Sequence, residues 1–423
     1  MKIRIVASGT RGDVQPYVAL GQGLRRAGHM VHLLTSDDFE AMVCHAGLEF
    51  VSSGSQVEAL LQNPEWRELM NRGNFLAILA RMRREMEAQG KEAARRLPEF
   101  LEGADLLIAG VGGMGGAFTA AEHFRIPTVA AYLFPLTPTR QFPCPILPDL
   151  PRLPIQPLLN RISFRALQEM LWLSVRSADS AVRQELHLSS SPLRMPFPDT
   201  ERHRLGVLYG YSRHVLPAPD DWHSHCHITG YWFLEEAEKK LPDDLEAFLN
   251  DGAPPVYIGF GSMGSQNPEE TTKLALRALE ESGQRGVLVT GWGGLSADSV
   301  PPTVFVARSV PHGALFPRTA AVVHHGGAGT TGAGLRAGVP NVVVPFFGDQ
   351  PFWGRQVARL GVGTPPLSRK RLTASALADA IRRCMEDTEL RAQAADLGQR
   401  IREENGVDRA VARIEQYAAL ATN

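Results

Sequence analysis

The stretch that most restricts the fold is Ala320-Ala321-Val322-Val323 followed by His324-His325-Gly326-Gly327-Ala328-Gly329-Thr330-Thr331. The apolar, β-branched run reads as a buried strand. Gly332 to Ala337 then continues as a helix, and Asn341 to Pro345 is a second strand. Strand, turn, helix and strand in such quick succession commit the chain to an α/β parallel sheet. The same geometry aims unpaired backbone N–H groups and a helix dipole at an anion. Glycines allow a phosphate to approach the backbone, and Thr330, Thr331 and the His325 ring add donors. The turn therefore reads as a diphosphate cradle. No Gly-Lys-Ser/Thr follows, so it is not a Walker loop, and it stands too late in its domain to be the usual dinucleotide fingerprint. The second strand ends at Gly348-Asp349-Gln350-Pro351, an acid and an amide placed where sugar hydroxyls could be held.

The rest of the chain repeats this alternation. Lys2 to Ala7 reads as a strand, Ser8 to Asp13 as a polar turn and Val14 to Ala27 as a helix stopped by Gly28. Strands follow at His29 to Thr35, Leu48 to Val51, Ala104 to Ala109 and Ile126 to Tyr132, with a helical pattern from Pro64 to Leu101. A second series opens at Pro255 to Phe260 and continues through Gly286 to Thr290 and Val304 to Val306. Helices are expected at Glu269 to Glu281, Thr373 to Cys384, Leu390 to Glu404 and Asp408 to Leu420. Two doubly wound, Rossmann-like parallel-sheet domains facing across a cleft account for this order, with the first ending at residue 227 and the second spanning 228–404. At 423 residues, each has enough chain to bury its own core.

Composition removes several function classes. A formal net charge of −1 supplies no basic field for nucleic acid. Cys44, Cys144, Cys226 and Cys384 are scattered, with no zinc spacing, as expected in a reducing, cytoplasmic setting. No apolar run reaches ~18 residues, so no spanning helix is expected, and the opening strand leaves no room for a signal peptide. His223, His225 and His227 alternate and could share one face of a strand, but no carboxylate completes a metal site. No metal and no cofactor are expected.

Eight prolines between Pro135 and Pro157, interleaved with Leu, Ile and Phe, mark a long structured loop. The apolar helix Asn160 to Val175 follows it, either as core or as one wall of an apolar substrate cleft. Asp13 stands at a helix start in the first domain. It reads either as a cap or as a general base facing the second domain's cradle.

Gly9-Thr10-Arg11-Gly12-Asp13-Val14-Gln15-Pro16 resembles the N-terminal motif of sterol and antibiotic glycosyltransferases of the UDP-glycosyltransferase superfamily. Thr229-Gly230-Tyr231-Trp232-Phe233, Gly259 to Met263 and Val310 to Trp353 resemble the sterol 3-β-glucosyltransferase branch. The resemblance implies the GT-B fold, and inverting, metal-independent transfer of a hexose, glucose above all, from a UDP-sugar. It implies an N-terminal acceptor domain, a C-terminal donor domain and a last helix, 405–423, returning to the N-terminal domain. Asp13 takes the place of the catalytic base. Thr10, Ser262, His325, Gly327, Ala328, Gly329 and Thr330 fall at the diphosphate, Asp349 and Gln350 at the hexose, and Ser309, Val310 and Trp292 at the base. Many relatives carry a His supported by a distant Asp. Here the matching region, Gly110 to Gly116, holds no acid, so Asp13 acts without that partner. A Glu that holds the ribose in plant relatives is replaced by Ala333, which leaves UDP against TDP open, with UDP favoured.

The expected acceptor is a hydrophobic alcohol, a sterol or another natural-product aglycone, met by the proline-rich loop through Phe142 and Ile146. Such an acceptor partitions into membranes, so loose peripheral contact is expected. The arginines between Arg81 and Arg96 would attract anionic lipid, or else form an ordinary solvated helix face. Two alternatives stand beside this reading. A nucleotide-sugar epimerase of the same fold would need a second acid and no apolar cleft. A non-catalytic auxiliary partner would not need Asp13, Asp349 and Gln350 together.

Overall fold

The computed structural model describes residues 1–63, 65, 66, 68, 69, 77, 78, 80, 81, 83, 84, 95–146, 153–196, 206–235, 240–261, 268–291 and 300–421. Two parallel sheets organise them. The first contains β1 (Lys2–Val6), β2 (Met30–Thr35), β3 (Glu49–Ser52), β4 (Leu106–Ala109), β5 (Thr128–Tyr132), β6 (Gly206–Tyr209) and β7 (Cys226–Ile228), in the order β3-β2-β1-β4-β5-β6-β7. The second contains β8 (Val256–Gly259), β9 (Gly286–Val289), β10 (Val304–Ala307), β11 (Ala321–His324) and β12 (Asn341–Val343), in the order β10-β9-β8-β11-β12. Every residue of β4, β6, β8, β9 and β11 is buried, because helices cover both faces of a parallel sheet. That is why these strands read as continuous apolar runs rather than alternating ones.

In each sheet the strand order reverses once, between β1 and β4 in the first and between β8 and β11 in the second. Chain turns that leave the carboxyl ends at such a reversal diverge and open a crevice. The Ser8–Asp13 and Gly110–Gly116 turns leave the first reversal; a Cβ on Gly112 would stand 2.7 Å from that of Ser8. Gly261 and His325 leave the second.

The helix Arg11–Arg26 begins earlier than its apolar pattern and contains Pro16. The helix Gln156–Glu185 is longer than expected in both directions, with Pro157 tolerated in its first turn. Its buried face, including Phe164, Leu167, Trp172, Val175 and Val182, packs on the first sheet's core. Helix Gly406–Ala421 joins the first domain's core through Ala410, Val411 and Ile414, and the Tyr417 hydroxyl donates to the His225 carbonyl. Trp66 and Ile78, from the first half of the sequence, are buried in the same apolar cluster as Val256, Ile258 and Leu377 of the second sheet. None of the helices among the described residues is long and apolar enough to cross a membrane.

Candidate active site in the interdomain cleft

The cleft is formed by two helix N-termini. A Cβ on Gly329, in the first turn of Ala328–Ala337, would stand 3.7 Å from the Gly12 carbonyl, in the first turn of Arg11–Arg26. Pro16 has no N–H to give that carbonyl in the helical i→i+4 pattern, so the Gly12 oxygen faces the opposite domain without its helical donor. Both helix ends carry partial positive charge toward the same space.

Asp13 is the third residue of its helix. Its Oδ2 accepts from the Thr10 backbone N–H at 2.8 Å and from the Thr10 hydroxyl at 3.0 Å. Gly9 makes this possible: it holds φ +125°, and a Cβ there would lie 2.5 Å from Asp13 Oδ2. The side chain therefore serves as the acidic member of a capping box with Thr10. Asp13 is open to solvent as a residue, yet its carboxyl is packed against Gly9 and Thr10. That loss of hydration raises its pKa, against the two Thr10 hydrogen bonds, which lower it.

On the other wall, His325 is held between glycines. A Cβ on Gly327 would stand 2.6 Å from His325 Nε2, and one on Gly261 would stand 3.1 Å from its Cε1. Its Nδ1 is buried with no hydrogen-bond partner among the described residues. Desolvation lowers its pKa to about 4, so the free protein presents a neutral imidazole at pH 7. Gly291, at φ +56°, packs onto the Gly261 carbonyl, so the three glycine turns of this domain meet. The helix Ala328–Ala337 starts from Gly327 as its cap, and the Thr331 hydroxyl is buried without a protein partner among the described residues.

The sequence reading passed over His324, which braces this turn. Its Nδ1 accepts from the Gly326 N–H at 3.0 Å and its Nε2 lies 3.0 Å from Asn341 Oδ1. Asn341 in turn donates to the Val339 carbonyl at 2.8 Å, which orients its Oδ1 as the acceptor and puts the histidine proton on Nε2. A histidine within a β-branched strand with an Asn opening the next strand was the only available signal.

Asp349 stands at the N-cap position of the helix Gln350–Arg359 without a capping bond from its side chain, and its Oδ2 accepts from Trp353 Nε1 at 2.7 Å. Burial raises its pKa to about 6, opposed by the Trp353 hydrogen bond and reinforced by the charge of Asp13. Gln350 is buried, and its Oε1 accepts from the backbone N–H groups of Phe346 and Phe347 at 2.8 and 3.2 Å. Its oxygen therefore shapes the loop that presents Asp349. Ser309 is exposed, whereas the Val310 side chain is core, leaving its backbone to act. Ser262 and Trp292 lie outside the described residues.

Phe142 is half-buried between the domains. Its ring centroid is 6.0 Å from Phe164 and 6.1 Å from Phe352. Ile146 packs on the same cluster. His223 and His225 stack in parallel at 5.5 Å, and His227 lies beside Tyr417. Among the described residues no group of three or more His, Cys, Asp or Glu could hold a metal ion. All four cysteines are free.

The chain has relatives over nearly its whole length. Residues 3–143 match the glycosyltransferase family 28 N-terminal domain, and residues 293–414 match the erythromycin biosynthesis protein CIII-like C-terminal domain. Sterol 3-beta-glucosyltransferase UGT80A2 of Arabidopsis thaliana is 36% identical over 97% of this chain and 64% of its own length. O-mycaminosyltylonolide 6-deoxyallosyltransferase of Streptomyces fradiae is 34% identical over 100% of this chain and 99% of its own. The chain spans only 27% of the length of a sterol 3-beta-glucosyltransferase from Cryptococcus neoformans, to which it is 34% identical. The crystal structure of the kitacinnamycin glycotransferase superposes with a TM-score of 0.69 at 20% identity, covering 99% of both chains, which supports the fold. The chain belongs to the GT-B glycosyltransferases of the UDP-glycosyltransferase superfamily, in the branch that unites sterol 3-beta-glucosyltransferases with antibiotic glycosyltransferases.

Proposed function

We propose that the protein is an inverting, metal-independent hexosyltransferase that moves glucose from UDP-glucose to a hydroxyl of a hydrophobic acceptor such as a sterol. The observation that carries this reading is the placement of Asp13 opposite the glycine-held His325 and the N-terminus of Ala328–Ala337. The names of the relatives add to it: one carries a sterol and glucose, the other a 6-deoxyallosyl group and O-mycaminosyltylonolide.

In this mechanism Asp13 accepts the acceptor's hydroxyl proton as the oxygen attacks the anomeric carbon. Thr10 keeps the carboxylate's Oδ2 fixed, and burial keeps its basicity above that of an ordinary Asp. The bond to the diphosphate breaks on the opposite face, so one displacement inverts the centre. Negative charge gathers on the departing diphosphate. The helix N-terminus, the Thr330 and Thr331 hydroxyls and the His325 ring stabilise that charge, most strongly in the transition state. These protein donors take the role a divalent cation would otherwise have. Asp349, fixed by Trp353, accepts from the hexose hydroxyls.

Phe142 and Ile146 form part of the acceptor wall, and a hydrophobic acceptor is the basis for expecting loose membrane contact. The test offers labelled UDP-glucose with and without a sterol, and then with a panel of polyketide and terpenoid alcohols. UDP release that requires an alcohol, with a matching gain in the alcohol's mass, is the expected result. Interconversion of the UDP-sugar in the absence of alcohol would favour an epimerase instead.

A further inference from the structure

Two crossings connect the domains, and they touch. A Cβ on Gly406 would stand 2.3 Å from the Tyr231 carbonyl oxygen, and one on Gly230 would stand 3.0 Å from Gly406 Cα. Both crossings carry backbone typical of pivots: Gly230 holds φ +108° and Asn405 φ +49°. Glu404, at the start of the second crossing, is 2% exposed. Its Oε1 accepts from the Arg213 backbone N–H at 3.2 Å, the Ser212 hydroxyl also bonds its carboxylate, and His214 Nε2 lies 3.9 Å away. This ties the second crossing to a turn of the N-terminal domain. Glu404 Oε2 lies 3.4 Å from the Cβ position of Gly230, and it has no hydrogen-bond partner among the described residues. The hydroxyl of Tyr231, on the first crossing, is likewise buried and unpartnered among them.

A buried acceptor and a buried donor, both unpaired and on adjoining pivots, favour any rotation that joins them. The Glu404 charge already acts on the Tyr231 hydroxyl and raises its pKa, after the larger effect of burial. The Tyr231 ring is also pressed against the cradle helix, since a Cβ on Gly332 would stand 2.6 Å from its Cε1. A tilt of Tyr231 is therefore transmitted to Ala328–Ala337, whose N-terminus meets Gly12 across the cleft.

We propose that Tyr231 and Glu404 are a positioning pair in the interdomain hinge: they stand apart in the setting seen here, with Gly12 and Gly329 in contact, and the Tyr231 hydroxyl donates to Glu404 Oε2 when the cleft opens. The pair thereby favours opening and release of the nucleotide product. The link to release rests on the donor-site reading above; the hinge itself does not.

Tyr231→Phe, Glu404→Gln and the double variant test it. Tyr231→Phe removes the donor of the pair and adds no bulk to the crossing. UDP should bind roughly 5- to 10-fold more tightly, an ordinary size for coupling between a hinge and a site. The turnover number and the donor KM should fall together, and small-angle scattering of the ligand-free protein should give a smaller radius of gyration. The double variant should do no more than the larger single one, because both remove one interaction. An unchanged radius of gyration, weaker UDP binding or additive single effects would each overturn the proposal. Scattering without ligand reads the hinge even if UDP is not the nucleotide, so it separates failure of this proposal from failure of the donor assignment.

Discussion

Asp13 of the N-terminal domain and Asp349 of the C-terminal domain are electrostatically coupled across the cleft, and the charge of Asp13 helps to raise the Asp349 pKa to about 6. Two carboxylates brought together by separate domains cannot both ionise freely. A bound donor and acceptor would separate them with polar groups. The charge of Asp13 therefore disfavours ionisation of Asp349, with measurable consequences.

Asp13→Asn should lower turnover by roughly 10²- to 10⁴-fold, the usual worth of a general base, while UDP affinity stays close to that of the parent. The amide oxygen can still accept from Thr10, so the helix start should survive. With the charge gone, the Asp349 pKa should move down from about 6 toward its ordinary value, because one of the groups raising it has been removed. A carboxyl-carbon NMR titration reads this directly. Retention of most turnover would reduce Asp13 to a cap.

Asp349→Asn should stabilise the free protein while weakening donor binding. The folded pKa, about 6, lies above the ordinary value of 3.8. The group therefore favours the fold when protonated, and that contribution is lost as pH rises from about 4 through 6. Asn stays neutral, so the variant should melt higher at pH 7.5 and gain nothing at pH 3.5. Donor KM should rise roughly 10- to 100-fold, as for a lost hydrogen bond to a charged acceptor. An equal gain in melting temperature at both pH values would contradict the titration argument.

His325→Ala should weaken UDP binding and lower turnover together, since the ring meets the diphosphate before and during the reaction. A diphosphate beside the ring raises its pKa from about 4, so binding is linked to proton uptake between the free and bound values. UDP affinity should therefore fall as pH rises from about 5 to 8. Calorimetry in buffers of different ionisation enthalpy should show proton uptake in the parent and none from this source in the variant. Equal proton uptake in both would remove His325 from the cradle.

Gly9→Ala tests the placement of the base without touching it. The new Cβ would stand 2.5 Å from Asp13 Oδ2 at a backbone φ of +125°. Strain of that kind costs ~1–3 kcal/mol. Displacing the carboxylate by about 1 Å should lower turnover on the order of 10²-fold. Stability and turnover should both fall, with UDP affinity nearly untouched. Normal turnover would mean that the Thr10–Asp13 arrangement is not the reactive one.

The alternation of strands and helices was legible because buried parallel strands are apolar throughout, as in Leu106–Ala109 and Ala321–His324. The glycine turn was legible because His325 needs glycine on both sides of its ring. The strand Gly206–Tyr209 is not evident in the sequence, where Gly206 and Gly210 bracket its three apolar residues. Pro157 read as loop because proline breaks helix interiors, yet it sits in a first turn, where its missing N–H costs nothing. Tyr231 lies in the stretch 229–233 that carries the family resemblance, but its relation to Glu404 had no sequence signal, because an unpaired buried oxygen depends on what two distant segments bring together. Gln350 read as a sugar ligand by position; that the Phe346 and Phe347 backbone engages its oxygen, which leaves the amide N–H2 group as the donor, was not legible. Burial and hydrogen-bond partners decide such roles, and neither is local in the sequence.

The acceptor wall gives the last prediction. Phe142 touches Phe164 of the long helix and Phe352 of the donor domain, so it stands where an apolar acceptor would complete the seam. An aglycone buried there gains ~25 cal/mol for each Å² of apolar surface removed from water. Replacing a large apolar side chain with Ser forfeits much of that contact and places a hydroxyl in the wall. Phe142→Ser and Ile146→Ser should each raise the acceptor KM by about 10-fold, the scale of ~1.5 kcal/mol of lost burial. Donor KM should move far less. Phe142→Ser should shift donor KM more than Ile146→Ser, because Phe352 lies on the helix that follows Asp349. Steady-state kinetics with a sterol varied at saturating UDP-glucose, and then the reverse, separates the two constants. A donor KM that rises while the acceptor KM stays flat would place this loop at the sugar nucleotide and reverse the roles of the two domains.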